Sequence, residues 1–517
     1  MPERAATIRR VSVVVAIDAG TTGVRALAVE ASAHAVGLAY REFTQHFPRP
    51  GWVEHDAAEI AEAIREVLCE LVDQLDEPVI AVGITNQRET VVAWSRSTGE
   101  PLHRAIVWQD RRTADRCEQL VEQGHLELIR NRTGLVADPY FSASKLEWIF
   151  TEGGVEPTAD VAVGTIDSWL LWNLTGGAVH ATDDTNASRT MLYDLGTGDW
   201  SDELCELFGV PRACLPQVLA SSGRFGTVAE GWGLPVGTPI SGIAGDQQAS
   251  LFGQACFETG MTKNTYGTGS FVLMNVGTER PEPVDGLVTT VAWSLPGDGG
   301  ARQITYALEG SIFVTGAAIQ WLRDGLGIID SAPEVNVLAE SVPDTDGVVM
   351  VPAFTGLGSP WWDPFARGMV LGITRGTTRA HLARAVIESI AYQTRDVVEA
   401  MTAASHSGLA ELRVDGGASS SNLLVRIQAE QLGVPVRRSA VRETTAQGAA
   451  FLAGLAEGFW GSFDEVGNAW TSDGTFGDDE VDRGRADADY QRWLEAIARS
   501  GAWDRPRRPP ENAEPAV

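Results

Sequence analysis

The run Val11-Ser-Val-Val-Val-Ala-Ile-Asp-Ala-Gly-Thr-Thr-Gly-Val-Arg-Ala-Leu-Ala-Val-Glu30 decides how the rest of the chain is read. Two apolar, β-branched stretches, 11–18 and 23–30, flank a loop of small and polar residues, which is the pattern of two strands joined by a tight turn. A third strand follows over 36–43. Next comes a helix capped by Asp56, with Glu59 spaced to complete a capping box and Ile60, Ile64, Val67, Leu68, Leu71 and Leu75 on one face. A buried strand over 79–84 closes the unit.

A comparable layout begins at Met261. Segments 263–265 and 270–275 flank Tyr266-Gly267-Thr268-Gly269-Ser270 as a hairpin would. Helices are expected over 316–326 and 378–404, with a strand over 348–352 between them. A strand over 411–415 then runs into Gly416-Gly417-Ala418-Ser419-Ser420-Ser421, a strand-turn-helix junction suited to holding a nucleotide against backbone. Two halves that each open with a strand-turn-strand suggest duplication, and the chain is read as α/β, with two ribonuclease H-like (actin-like ATPase) domains flanking a central catalytic cleft. The expected boundaries are 8–256 and 257–462, followed by an extension over 463–517. A last helix is expected over 490–502, and the proline-rich stretch 504–517 reads as disordered.

At 517 residues the chain exceeds what one core supports, which agrees with two domains. A formal net charge of -29 excludes nucleic acid and anionic membrane surfaces as partners, because a polyanion needs a basic footprint. Nearly every cation is Arg; lysine occurs only at Lys145 and Lys263. Cys69, Cys117, Cys205, Cys214 and Cys256 are odd in number and form no Cys-x-x-Cys pair, so reduced thiols in a cytoplasmic protein are expected. The basic start and the apolar run 11–17 imitate a signal peptide, but Asp18 ends the run without a small-residue cleavage pattern. No segment approaches the ~20 apolar residues of a membrane span, so membrane insertion is not expected.

Asp246, in Gly245-Asp246-Gln247-Gln248, follows an apolar strand at a small-residue turn and opens a helix, a backbone fixed enough to aim a general base into a cleft. Asp18-Ala19-Gly20-Thr21-Thr22-Gly23 and Tyr266-Gly267-Thr268-Gly269 are loops whose amides and hydroxyls can cradle phosphate, and Asp18 is placed to hold magnesium through water. Each loop alone has an ordinary alternative, a type I′ or II′ hairpin turn. Arg88-Glu89, just past a buried strand, offers a donor and an acceptor to neighbouring hydroxyls, or else forms a solvated surface pair. Trp108 and Phe271 are either core aromatics or faces for the carbon edge of a polyol. One base and two phosphate-cradling turns point to phosphoryl transfer to an alcohol.

The stretches Phe47 to Asp56, Gly83-Ile-Thr-Asn-Gln-Arg-Glu-Thr90, Thr182 to Met191, Ser241 to Ala249, Asn264 to Ser270 and Val351 to Gly358 resemble the FGGY carbohydrate kinases, specifically their glycerol-phosphorylating branch. Tyr140 to Glu152 and Gly368 to Glu388 resemble the two family-wide signatures, and the likeness runs from about Val13 to Trp460. It implies ATP and Mg2+ as cofactors and a homodimer or homotetramer. It implies that Arg88, Glu89, Tyr140, Asp246 and Gln247 hold glycerol, with Trp108 and Phe271 against its carbon edge. Thr21, Thr22, Gly23, Arg25, Thr268, Gly316, Gln320 and Gly417 fall on nucleotide-contacting positions. Asp18 falls on the metal-linked aspartate, and Asp246 on the general base at the metal. Ser421 stands where the family's adenosine contact is Asn, with Asn422 one place later, and Ala19 replaces the commoner Gln. The rivals are a kinase of the same family for xylulose, ribulose or gluconate, and an actin-like ATPase that binds partners without phosphorylating a small molecule.

Overall fold

The computed structural model describes residues 12–405, 407–477 and 482–505. β1 (Val13–Ala19) and β2 (Gly23–Val29) form the expected hairpin, and β3 (Ala35–Glu42) adds to it antiparallel. α1 (Ala57–Val72) then leads to β4 (Val79–Asn86), parallel to β1. With β5 (Ser222–Thr227) and β6 (Pro239–Gly245) these strands make a six-stranded sheet in the order β5-β6-β4-β1-β2-β3. β1 is apolar without alternation because both its faces are covered. Val13, Val15 and Ile17 enter the core under α1, while Val14 and Ala16 enter the core on the other face.

The second half builds a seven-stranded sheet from β7 (Met261–Tyr266), β8 (Ser270–Gly277), β9 (Val288–Pro296), β10 (Arg302–Ile312), β11 (Glu411–Asp415), β12 (Val436–Ser439) and β13 (Ser472–Phe476). Its order is β9-β10-β8-β7-β11-β12-β13. Leaving aside the edge strand β9, both sheets run alike: an antiparallel trio, two parallel strands, then an antiparallel edge. The topology therefore repeats where the residues barely do.

Several local expectations change. Asp56 does cap α1, accepting from Ala58 N and Glu59 N, but the Glu59 carboxylate turns to Thr44, whose N and Oγ1 donate to it at 2.9 and 2.8 Å. The capping box is half made, and the helix start is tied to the strand before it instead. α1 ends at Val72, so Leu75 lies beyond it, though it still packs on the same core. In the first half, α2 (Ser142–Thr151) and α3 (Asp246–Gly253) carry site residues. In the second half, α4 (Gly316–Gln320) gives way to a π turn, Trp321–Gly325, where one continuous helix was expected. α5 (Arg379–Ser405) and α6 (Asn422–Leu432) pack on one face of the second sheet.

α7 (Thr444–Ala456) crosses back to lie on β4, β6 and α3. α8 (Arg483–Ser500) starts earlier than expected, and after it Asp504 N donates to Phe365 O at 3.0 Å, so the tail's first residues are seated. The rest of the expected disordered stretch, 506–517, lies outside the described residues. Among the described residues, no helix is long and apolar enough to cross a membrane.

Candidate active site

The carboxyl ends of β1, β4 and β6 lie side by side, with Asp18 opposite Thr85, and with Ala19 and Gly245 both opposite Asn86. Asp18, the Arg88-Glu89 pair and Asp246 therefore leave the sheet at one edge, the crevice where open α/β sheets bind ligands. Gly245 is a glycine for a reason: a Cβ there would stand 2.7 Å from Arg88 Cγ. Asp246 opens α3 with its side chain 31% exposed. Its Oδ1 accepts from Gln247 N at 2.7 Å and lies 3.2 Å from Arg88 Nε, whereas Oδ2 has no hydrogen bond among the described residues. One oxygen is aimed and the other is open, as a general base requires.

Arg88 and Glu89 are not a solvated pair. Both are buried, and Glu89 takes a left-handed backbone (φ 62°), a conformation a non-glycine residue holds only where its surroundings enforce it. Two residues that local pattern did not flag complete the arrangement. Glu309 on β10 receives both Arg88 Nη1 and Nη2, at 2.5 and 3.0 Å. Arg189 donates to Glu89 at 2.6 Å and to Glu309 at 3.1 Å. Burial alone would raise the Glu309 carboxyl, yet Arg189 and Arg88 hold it at about 2, while burial outweighs the same cations at Glu89 and raises it. Two cations and two carboxylates thus alternate in a buried ring spanning both halves of the chain.

Tyr140 receives an Arg88 N–H at 3.4 Å and meets Trp108 edge to face, ring centroids 5.5 Å apart. Trp108 Nε1 donates to Thr21 Oγ1 at 3.0 Å, so this aromatic pair is tied to the first Gly-Thr turn. Phe271, half-buried, packs on the core of Phe252 and Trp293. Gln247 Oε1 accepts from the ammonium of Lys263 on β7 at 2.5 Å. Burial lowers that lysine to about 8, against the pull of Asp415, Glu309 and Asp246.

The loop Gly20–Gly23 contains no positive φ, so it is neither of the primed turns that an ordinary hairpin would use. Thr21 is half-buried and Thr22 exposed; a Cβ at Gly23 would collide with the Tyr40 hydroxyl, 2.6 Å away. Arg25 lies 3.5 Å from Asp18 and also pairs with Glu443. Burial pushes the Asp18 carboxyl up to about 6, with Arg25 opposing and Asp246 adding to the rise.

In the second half, Thr268 O accepts from Thr315 N and Ala317 N, and Gly267 O from Gly316 N, which seats the second turn on the start of α4. Gln320, at the end of α4, is exposed. Gly416 (φ 82°) lies against Tyr266 O, 2.5 Å from where its Cβ would be, so the third turn rests on the second. A Cβ at Gly417 would meet nothing within 4 Å, leaving open space beside the turn. Ser421 is spent on structure: its Oγ caps α6 through Leu424 N and donates to Asn336 at 2.5 Å, while Asn422 is exposed and accepts from Arg438. Asp415, just before the third turn, accepts from Gln254 Nε2 at 2.9 Å and from Thr444, tying α3 and α7 to that turn.

A divalent ion that arrives with nucleotide phosphates asks the protein for one or two carboxylates and keeps several waters. Asp18 and Asp246 fit that demand, and no cluster of three or more His, Cys, Asp or Glu among the described residues forms a closed cage.

The chain matches two family models, the N-terminal domain of the FGGY family of carbohydrate kinases over residues 13–253 and its C-terminal domain over 262–457. It is 53% identical over 500 residues to the glycerol kinase of Bordetella parapertussis, covering 95% of this chain and 98% of that one. It is 52% identical over 500 residues to glycerol kinase 2 of Thermotoga maritima, covering 95% and 99%. The crystal structure of Plasmodium falciparum glycerol kinase with ADP superposes with a TM-score of 0.90 at 33% identity, over 95% of this chain and 98% of that one. With both domain models matched in order and relatives of this likeness along nearly its whole length, the chain belongs to the FGGY family of carbohydrate kinases.

Proposed function

We propose that this kinase transfers the γ-phosphoryl group of ATP to a terminal hydroxyl of glycerol, giving sn-glycerol 3-phosphate and ADP. The observation that carries the reading is Asp246, one oxygen held and the other open, next to the buried Arg88-Glu89-Arg189-Glu309 ring. Tyr140 and Trp108, joined to it through Arg88, and the adjacent Gln247 offer the hydroxyl partners and apolar edge that a small polyol needs, and the resemblance adds Phe271 to them. The likeness to glycerol kinases over nearly the whole chain supports the same choice of acceptor.

In this mechanism Asp246 accepts the proton of the attacking hydroxyl, late, because a loose phosphoryl transition state asks little of the base and much of positioning. Arg88 orients Asp246, and Glu89 accepts from a polyol hydroxyl. Amides and hydroxyls of Thr21, Thr22, Gly23 and Thr268 donate to phosphate oxygens, with Arg25 swinging from Glu443 as the nucleotide enters. Gly316, Gln320 and the open face of Gly417 line the nucleoside end, with Ser421 behind it. Magnesium, held by Asp18 through water and by Asp246, would neutralise phosphate charge. Domains 8–256 and 257–462 are the lobes that close on the two substrates.

ADP release measured with glycerol, xylulose, ribulose, gluconate and no acceptor tests the reading. Release that needs glycerol supports it. Preference for a pentulose or gluconate moves the chain to another branch, and acceptor-independent release to an ATPase.

A further inference from the structure

The chain has only two lysines, and both are fully buried beside the proposed polyol pocket. Wherever either cation would serve on the surface this chain carries Arg, so the two lysines mark places where a planar guanidinium does not fit and a compact ammonium does. Lys145 Nζ donates to the carbonyls of Pro139, Tyr140 and Phe141 at 2.9, 2.8 and 2.7 Å, holding from behind the segment that presents Tyr140. Lys263 Nζ donates to Gln247 Oε1 at 2.5 Å and to Thr265 Oγ1 at 3.1 Å, and it has no carboxylate within ion-pair distance among the described residues. An ammonium buried without an ion pair is costly, and its one strong partner is the side chain next to the proposed base.

An ammonium has only donors, so it accepts one end of an amide and refuses the other. With Oε1 turned to Lys263, the Nε2 of Gln247 points away; Nε2 has no partner among the described residues, and the side chain is partly exposed. We infer that Lys263 is a positioning residue that fixes the polarity of the Gln247 amide, so that Gln247 meets the substrate only as a donor, to a hydroxyl oxygen of the polyol. This rests on the reading of Gln247 as a polyol ligand. Without the lysine nothing excludes the reverse orientation, in which the amide presents its acceptor.

The test is a double-mutant cycle of Lys263→Met and Gln247→Ala, read as KM for glycerol and for ATP. Gln247→Ala alone is expected to raise the glycerol KM on the order of 10-fold. Lys263→Met should raise the glycerol KM several-fold, leave the ATP KM unchanged, and add nothing in the Gln247→Ala background. Additive effects, or an equal rise in the ATP KM, would overturn the role of Lys263 while leaving the polyol site in place. An unchanged glycerol KM in Gln247→Ala would remove the site reading itself, and the inference with it. Gln247→Glu serves if Lys263→Met does not fold: it keeps the shape and pairs with the lysine but has no N–H to donate. Its glycerol KM should match that of Gln247→Ala, and a wild-type value would sink the proposal.

Discussion

Arg189 shows what a local reading of the chain could not supply. It lies in a stretch the family resemblance covers, yet nothing near it in sequence says that its partners are Glu89 and Glu309, 100 and 120 positions away. Asp18, Asp246 and the Gly-Thr turns were legible because strand, turn and helix start are local patterns. Removing one member of a buried charge ring strands the others, which costs about 3–5 kcal/mol. Arg189→Leu is therefore expected to lower the unfolding free energy by that amount in a denaturant titration; a loss under about 1 kcal/mol would mean the ring is not a stabilising unit. A second residue-scale outcome concerns pH. Asp167, buried and accepting from Thr165 and Thr182, is pushed up to about 7 by burial and by Asp183. The folded chain keeps a proton there that the unfolded chain releases above about 4. Its contribution to stability is present below that pH and is lost as pH rises to about 7, on the order of 1 kcal/mol per pH unit. Asp167→Asn should unfold with a flatter pH dependence over that window, and its stability relative to wild type should grow from pH 4 to 7. Parallel curves would contradict the assignment.

At the scale of elements, sequence patterning found the strands well and missed the helix that joins the halves. α7 has a nearly all-apolar, small-residue sequence, which gives no amphipathic stripe to read because it is buried on all sides. Its meeting with α3 and the first sheet is backbone against backbone: a Cβ at Gly448 would collide with Ala249 O, one at Gly253 with Thr444 O, and one at Gly83 with Ala449 O. α3 carries Asp246 at its first residue, so the packing that sets the position of this carboxylate is the glycine contact. Gly448→Ala must push the two helices apart, and overpacking of this kind costs about 1–3 kcal/mol or more. The variant should melt earlier and lose turnover more than Gly417→Ala, where a Cβ meets no protein atom. Equal, near-wild-type behaviour of Gly448→Ala would show that the crossing tolerates separation. The half-made capping box has the same lesson: Glu59 turns to Thr44, a partner that spacing along the chain does not encode.

At the scale of the whole molecule, two sheets of matching topology each carry a Gly-Thr turn, the first beside Asp18 and Asp246 at the carboxyl ends of its strands and the second against the open Gly417 turn. On the proposed function, a net charge of -29 would leave the phosphates to local backbone amides, Arg25 and a bound cation, since the surface as a whole repels them. The account stands or falls on Asp246 as the group that makes this cleft a polyol kinase. The direct measurement is glycerol-dependent ADP formation by Asp246→Asn beside wild type, with ADP binding followed on the same preparations. Turnover should fall about 100-fold to 10,000-fold while nucleotide binding is kept, since a positioned base typically contributes that much. Turnover near wild type in a variant that still binds nucleotide would contradict the account.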